Sequence, residues 1–267
     1  MDRSTIDALG LELYEAERRQ RPRGPLSADH ADLSLADAYA IQEAYARRRL
    51  APDNPLVGRK IGCTSKAIQE LFNIDTPDFG QIFADMVVGD GGQIAADELI
   101  APMIEPEVAF VLAADLRGPG VTADDVLAAT AAVAPCMEII DSRIVDWDIK
   151  FVDTVADNGS SSRCVFGQQV ALDGLDLAAE PVVLLCDGVE IATSTGAAAL
   201  GHPATSVAWL ANALSELDRD LRAGEWVLSG SLTSAARASA GQRYEAVFRN
   251  LGRVSCEFIK TDGEGSR

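Results

Sequence analysis

The chain has 267 residues, with 41 acidic against 23 basic side chains and a formal net charge of -18. That balance excludes a nucleic-acid partner and an anionic membrane surface, since both require a basic face. Hydrophobic residues make up 48%, as in a soluble globular protein with a sizeable core, and no apolar run approaches the roughly 20 residues of a membrane span.

The first 50 residues read as helical. Ile6, Leu9, Leu13 and Ala16 recur at helical spacing, and Leu35, Ala38, Tyr39, Ile41, Gln42 and Tyr45 repeat the pattern. Ser34, with Asp37 three residues on, has the form of an N-cap. RPRGPLSADH between the two helices reads as a loop.

From Val57 short apolar runs alternate with Gly-rich turns: VGRKIG, then FADMVVGDGGQI. MIEPEVAFVL is the strongest predicted strand. TADDVLAATAAVA follows as a predicted helix, CMEIIDSRI as a strand, and VDWDIKFVDTVADNGSSSR as a long irregular stretch. CVFGQQVAL, EWVLSGSL and RYEAVFRNLGRVSCEFIK add strands, and PVVLLCDGVEIATST adds a hairpin with its turn at Asp187-Gly188. One further helix is predicted in ATSVAWLANALSELDRDL, and the tail TDGEGSR is expected to fray. The class is α+β, with a helical N-terminal segment over 1–55 and a mostly β body over 56–267.

The cysteines (Cys63, Cys136, Cys164, Cys186, Cys256) form no CxxC pair, so neither a zinc site nor a disulfide framework is expected. The opening residues lack the apolar region of a secretory signal. Both features point to a reducing cytoplasm.

The chemistry concentrates in three acids. Glu105 and Glu107 are two apart in a predicted strand, so both face one side, and their flanks are apolar. Pro106 between them cannot donate to a ladder, which predicts an edge or a bulge. Glu138 is similarly embedded in PCMEII. Carboxylates among such residues need a compensating cation, and three of them suit hard Mg²⁺ or Mn²⁺ with room left for a chelating 2-oxo acid. The ExE pattern alone is weakly specific in a chain this rich in acid.

Four long motifs carry a resemblance. GRKIGCTSKAIQELFNIDTPDFGQIFADM (58–86), IEPEVAFVL (104–112), CMEIIDSRIVDWDIKFVDTVADNGSS (136–161) and LGHPATSVAWLANAL (200–214) are similar, in the same order, to the 2-oxopent-4-enoate (2-hydroxypentadienoate) hydratases of the fumarylacetoacetate hydrolase superfamily. The resemblance spans about residues 35 to 258. It implies a mixed β-roll with a helical N-terminal segment. It implies Mg²⁺ or Mn²⁺ held by Glu105, Glu107 and Glu138, and hydration of a 2-hydroxydienoate within meta-cleavage breakdown of aromatic compounds. It also implies a ring-like homo-oligomer, with association with a pathway decarboxylase or aldolase as a further expectation.

Lys60, in GRKIG, is the first choice for acid–base work or for the substrate carboxylate, with a depressed pKa expected beside a metal and a semi-apolar wall. Asp78 in TPDFG and Ser160 in ADNGSS are the other catalytic candidates, each weighed against a turn role. His202, before Pro203, reads as structural more readily than catalytic. Two departures from the family pattern stand out: Ser162 and Arg163 replace a Gly and an apolar residue, and LSGSLTSAARASAG diverges from the usual loop.

Three other readings compete with hydration. A 2-oxo-3-hexenedioate (4-oxalocrotonate) decarboxylase shares the superfamily and the metal site. An acylpyruvate-type C–C hydrolase needs a His-Glu pair, and His30, the only histidine upstream of the metal motif, has no matching motif around it. A catalytically silent partner subunit is opposed by the intact set of Glu105, Glu107, Glu138 and Lys60.

Overall fold

The computed structural model describes residues 1–261, so the terminal part of TDGEGSR expected to fray lies outside the described residues. The N-terminal segment folds as helices α1 (Arg3–Arg18), α2 (Leu26–Asp29) and α3 (Leu35–Arg49). Asp2 caps α1 by accepting the Thr5 amide at 2.9 Å. Ser34 and Asp37 close a capping box at the start of α3. The short α2 lies within the expected loop.

The helices form a small core of their own. Leu13, Leu26, Ile41 and Tyr45 pack with Val155 and Ala156 of α6 (Phe151–Ala156), so the N-terminal helices share a core with the body of the chain. Where α1 crosses α3, Gly10 permits close approach: a Cβ there would sit 2.6 Å from the Ala44 Cβ.

The body contains strands β1 (Leu56–Gly62), β2 (Asp78–Phe83), β3 (Val87–Gly89), β4 (Gly92–Ala95), β5 (Met103–Leu112), β6 (Thr130–Ile140) and β7 (Ser161–Phe166). It continues through β8 (Pro181–Cys186), β9 (Val189–Thr195), β10 (Trp226–Leu228), β11 (Ala236–Arg237), β12 (Arg243–Phe248) and β13 (Gly252–Ile259). Helices α4 (Lys66–Phe72), α5 (Ala123–Ala128) and α7 (Pro203–Ser215) complete it. The strands form two sheets. One runs β2-β1-β10-β5-β6-β7-β3, with β11 also on β5, and the other runs β4-β13-β12-β8-β9. Val108, Phe110, Val133 and Met137 of the first pack in one core with Val182, Leu184, Ala246 and Val254 of the second. Two sheets sharing one core, with helices before them, match the mixed β-roll that the resemblance implies. No helix among the described residues is long and apolar enough to cross a membrane.

Several expectations need correction. The helix predicted over TADDVLAATAAVA stops at Ala128, and Thr130 begins the longest strand. Alanine favours helix locally, but pairing of β6 along the whole of β5 overrides that weak preference. The stretch expected to be irregular contains α6 and the start of β7. Pro106 is not at an edge: β5 lies inside its sheet, paired with β6 on one side and with β10 and β11 on the other. The Pro106 carbonyl accepts from the Leu232 amide, so its nitrogen faces the 229–235 segment, where the ladder breaks between β10 and β11. A missing donor costs little there. The β8–β9 hairpin turns where expected, with Asp187 at φ 50° and Gly188 at φ 78°, both left-handed as a tight hairpin requires.

The close helix crossing makes a prediction. Gly10→Leu overpacks the α1–α3 contact and should destabilise the chain by about 1–3 kcal/mol. A urea-unfolding midpoint equal to that of the parent chain would show that the helices do not meet as described.

Candidate active site

Glu105 and Glu138 are directly paired across β5 and β6, and Glu107, two residues along, faces Cys136 in the same register. Alternation along the strand therefore puts all three carboxylates on one face. One oxygen from each lies within 4.8 Å of the others. Glu107 and Glu138 are 0% exposed. Glu107 Oε2 accepts the Gly230 amide at 2.7 Å, while Glu107 Oε1 and both Glu138 oxygens have no hydrogen-bond donor. Buried carboxylate oxygens without donors are costly, and clustered as they are they could hold a hard divalent cation. Burial raises Glu105 to about 7 despite the nearby Lys60 ammonium, and burial together with Glu138 and Glu105 raises Glu107 as well.

Lys60, from β1, supplies the local positive charge. It is 3% exposed, its Nζ donates to the Gly159 carbonyl at 2.9 Å, and Glu138 Oε2 lies 3.3 Å away without hydrogen-bond alignment. The depressed pKa expected from sequence is reversed. Burial favours the neutral amine, but Glu138, Asp78, Glu105 and Glu107 outweigh it and hold Lys60 above its ordinary value. Asp78 begins β2 opposite Gly62, the residue that ends β1. It is buried, its Oδ1 is unpaired, and its pKa is raised by burial against the pull of Lys60.

The 157–160 loop closes over Lys60. A Cβ at Gly80 would strike the Asn158 carbonyl at 2.4 Å, and Gly159, at φ 59°, leaves only 3.2 Å between such a Cβ and Lys60 Cδ. The lysine stem thus runs between two glycines. Asn158 acts as a strand partner for β2, accepting the Gln81 amide at 2.7 Å and donating to the Gln81 carbonyl at 2.9 Å. Fully buried Arg143 holds the loop from behind. It pairs with Asp157 at 2.6 Å and donates to the carbonyls of Asp141, Ser161 and Asp157. Gln42 of α3, also buried, donates to the Phe79 and Val155 carbonyls and ties the N-terminal helices to β2 and α6.

Lys60, Asp78, Glu105 and Ser160 all line one cavity of about 940 Å³. Ser160 is buried, with its Oγ 3.4 Å from Asp157 Oδ2. The three catalytic candidates and Glu105 therefore meet here, whereas Glu107 and Glu138 are fully buried and do not line the cavity. Neither histidine lines the cavity: His202 caps α7, its Nδ1 accepting the Ala204 amide at 3.0 Å. Ser162 and Arg163 are outside the wall as well, whereas Ser231 to Ala235 of the divergent loop form part of it. Arg143, Asp157 and Asn158 lie in the 136–161 motif and Gln42 in the α3 pattern, yet none was singled out as support for the site. Their signal was a density of polar residues inside apolar runs, which only the fold shows to be support for the site.

The raised carboxylates give the protein a pH signature in the absence of divalent cations. A raised acid contributes stability that is fully present below its unfolded value and lost as pH rises through the folded one. For Glu105 that window runs from 4.5 to about 7. The exposed aspartates with lowered values have finished titrating below it. Melting temperature should therefore fall from pH 5 to pH 8, and Glu105→Gln should flatten the slope. A metal-free protein that gains stability over that interval would contradict the assignment.

No family model matches the chain. Individual relatives do. It is 45% identical to a 2-hydroxyhexa-2,4-dienoate hydratase of Comamonas testosteroni over 97% of this chain and 99% of that protein. It is 42% identical to a 2-keto-4-pentenoate hydratase of Paraburkholderia xenovorans over 95% and 94%. Among solved structures, a 4-oxalocrotonate decarboxylase from Pseudomonas putida, complexed with magnesium and adipate, superposes with a TM-score of 0.95 at 36% identity, covering 97% of this chain and 99% of that one. The chain belongs to the 2-keto-4-pentenoate (2-hydroxypentadienoate) hydratase family.

Proposed function

We propose that the chain is a divalent-metal-dependent hydro-lyase that adds water to 2-hydroxypenta-2,4-dienoate or a close analogue, giving a 4-hydroxy-2-oxo acid in meta-cleavage breakdown of aromatic compounds. The observation that carries this reading is the cluster of Glu105, Glu107 and Glu138, with donor-less buried oxygens, beside an ammonium at the floor of a cavity. These three residues would hold Mg²⁺ or Mn²⁺, which when bound supplies a Lewis acid for a chelating 2-oxo acid. The magnesium of the decarboxylase complex supports the same choice of ion.

The side chains divide the remaining work. Lys60 stays protonated among its carboxylates, so it serves as a fixed cation for the substrate's carboxylate or developing enolate and not as a base. Hydration requires a proton at C5 and loss of the 2-hydroxyl proton, which together convert the dienol to an enone. It then requires a bond from water oxygen to C4, and a proton at C3. Asp78, with a raised pKa and an unpaired oxygen, is our choice for carrying these protons. Ser160, on the cavity wall, is our choice for orienting the water.

The resemblance of its motifs supports a homo-oligomer, alone or with a pathway decarboxylase or aldolase, and five unpaired cysteines support a reducing cytoplasm. One specific observation favours a second reading: the likeness to the decarboxylase favours CO₂ release from 2-oxo-3-hexenedioate at the same site.

The chain should convert 2-hydroxypenta-2,4-dienoate to a product heavier by one water in the presence of Mg²⁺ or Mn²⁺, monitored by dienol absorbance and mass. A chelator should abolish turnover, and Glu107→Ala should lower kcat/KM by about 100-fold or more, the scale of losing one electrostatic contact to the transition state. Carbon dioxide from the hexenedioate, with no hydration of the dienoate, would move the assignment to the decarboxylase.

A further inference from the structure

The loop that departs from the family pattern lies directly against the acids. The ladder to β5 is interrupted between Leu228 of β10, opposite Ala109, and Ala236 of β11, opposite Ile104. The segment in that gap meets 105–108 almost residue by residue. The Ser229 amide donates to the Val108 carbonyl at 3.1 Å, and the Leu232 amide donates to the Pro106 carbonyl at 2.9 Å. Between them the Gly230 amide turns away from the backbone and reaches the Glu107 carboxylate at 2.7 Å. That turn needs a glycine: its φ is 99°, and a Cβ there would lie 2.4 Å from Thr64 Oγ1.

Ser231 is the remaining member of the set. It lines the cavity together with Glu105. Burial raises the Glu105 carboxyl, and the Lys60 ammonium and a Ser231 hydrogen bond oppose that rise. The Ser231 Oγ also lies 2.7 Å from the Thr233 carbonyl, so its one proton has two acceptors and rotates between them. Glu105 has the greater need of such a partner. Glu107 is packed and held by Gly230, and Glu138 is packed beside Lys60, whereas Glu105 is half-buried. A carboxylate bordering a cavity has rotamers to lose that a packed one does not.

We propose that Ser231 is a positioning residue of the cation site: its hydroxyl holds Glu105 in the orientation that completes the three-carboxylate set, as the Gly230 amide holds Glu107. The proposal rests on the divalent-cation part of the hydratase reading, and it adds the loop residue that sets how tightly the ion is held. Groups hydrogen-bonded to metal ligands typically change metal affinity by about 10–100-fold when they are removed.

Calorimetric titration of the metal-free chain with Mn²⁺ tests this without substrate. Ser231→Ala should raise the Kd for Mn²⁺ by about tenfold or more. Ser231→Thr keeps the hydroxyl and should recover most of that loss. The melting temperature of metal-free Ser231→Ala should stay at the parent value, which separates positioning of Glu105 from folding. Ser234→Ala, at an exposed point on the same wall, should leave the Kd unchanged. An unchanged Kd in Ser231→Ala, or an equal loss in Ser231→Thr, would overturn the proposal and leave the cation site standing. A parent chain that binds no Mn²⁺ would sink the cation site and the proposal with it.

Discussion

One constraint organises this molecule: Glu107, Glu138 and Asp78 are carboxylates removed from water, and the single ammonium of Lys60 is the positive charge set among them. One cation cannot neutralise them and the half-buried Glu105 as well. The excess shows as raised carboxylates, as a lysine held firmly protonated, and as oxygens without donors. Apolar packing of the same volume would be more stable than such a cluster. Its presence inside the sheet is a cost in stability that a divalent cation, if held there, would offset.

The rest of the fold holds that arrangement in place. The β5–β6 ladder sets Glu105 opposite Glu138 and Glu107 one pleat away, and register leaves no freedom to scatter them. β1 brings Lys60, and its partner β2 brings Asp78 to the same end. The 157–160 loop then seals the lysine stem. It is kept there by Arg143 behind it and by Asn158 against β2. Through Gln42 the N-terminal helices reach the same region. They therefore support the site without supplying a side chain to its cavity.

Much of this was legible in the sequence because the signals were local. MIEPEVAFVL matched β5 over its full length, since an apolar run with two embedded acids admits few readings. Ser34 with Asp37 marked a helix start because capping is a contact between neighbours in the chain. What failed depended on distant partners. Thr130 to Ala134 looked helical until β5 claimed it as a strand, and Pro106 looked like an edge because the interrupted β10–β11 side cannot be seen in one dimension. Lys60 lines the cavity but was assigned the wrong shift, because desolvation was weighed without the carboxylates that three other strands contribute. Arg143 and Asp157 lie inside the 136–161 motif, but their role shows only when the loop they pin is seen to cover Lys60.

The central claim is that the carboxylate cluster is a divalent-cation site. Titration of the metal-free chain with Mn²⁺, followed by electron paramagnetic resonance, tests it without reference to turnover. The account predicts one tightly held ion per chain, lost in Glu138→Ala and displaced by Mg²⁺. A parent chain that leaves Mn²⁺ free, or one that holds it equally well without Glu138, would contradict the account.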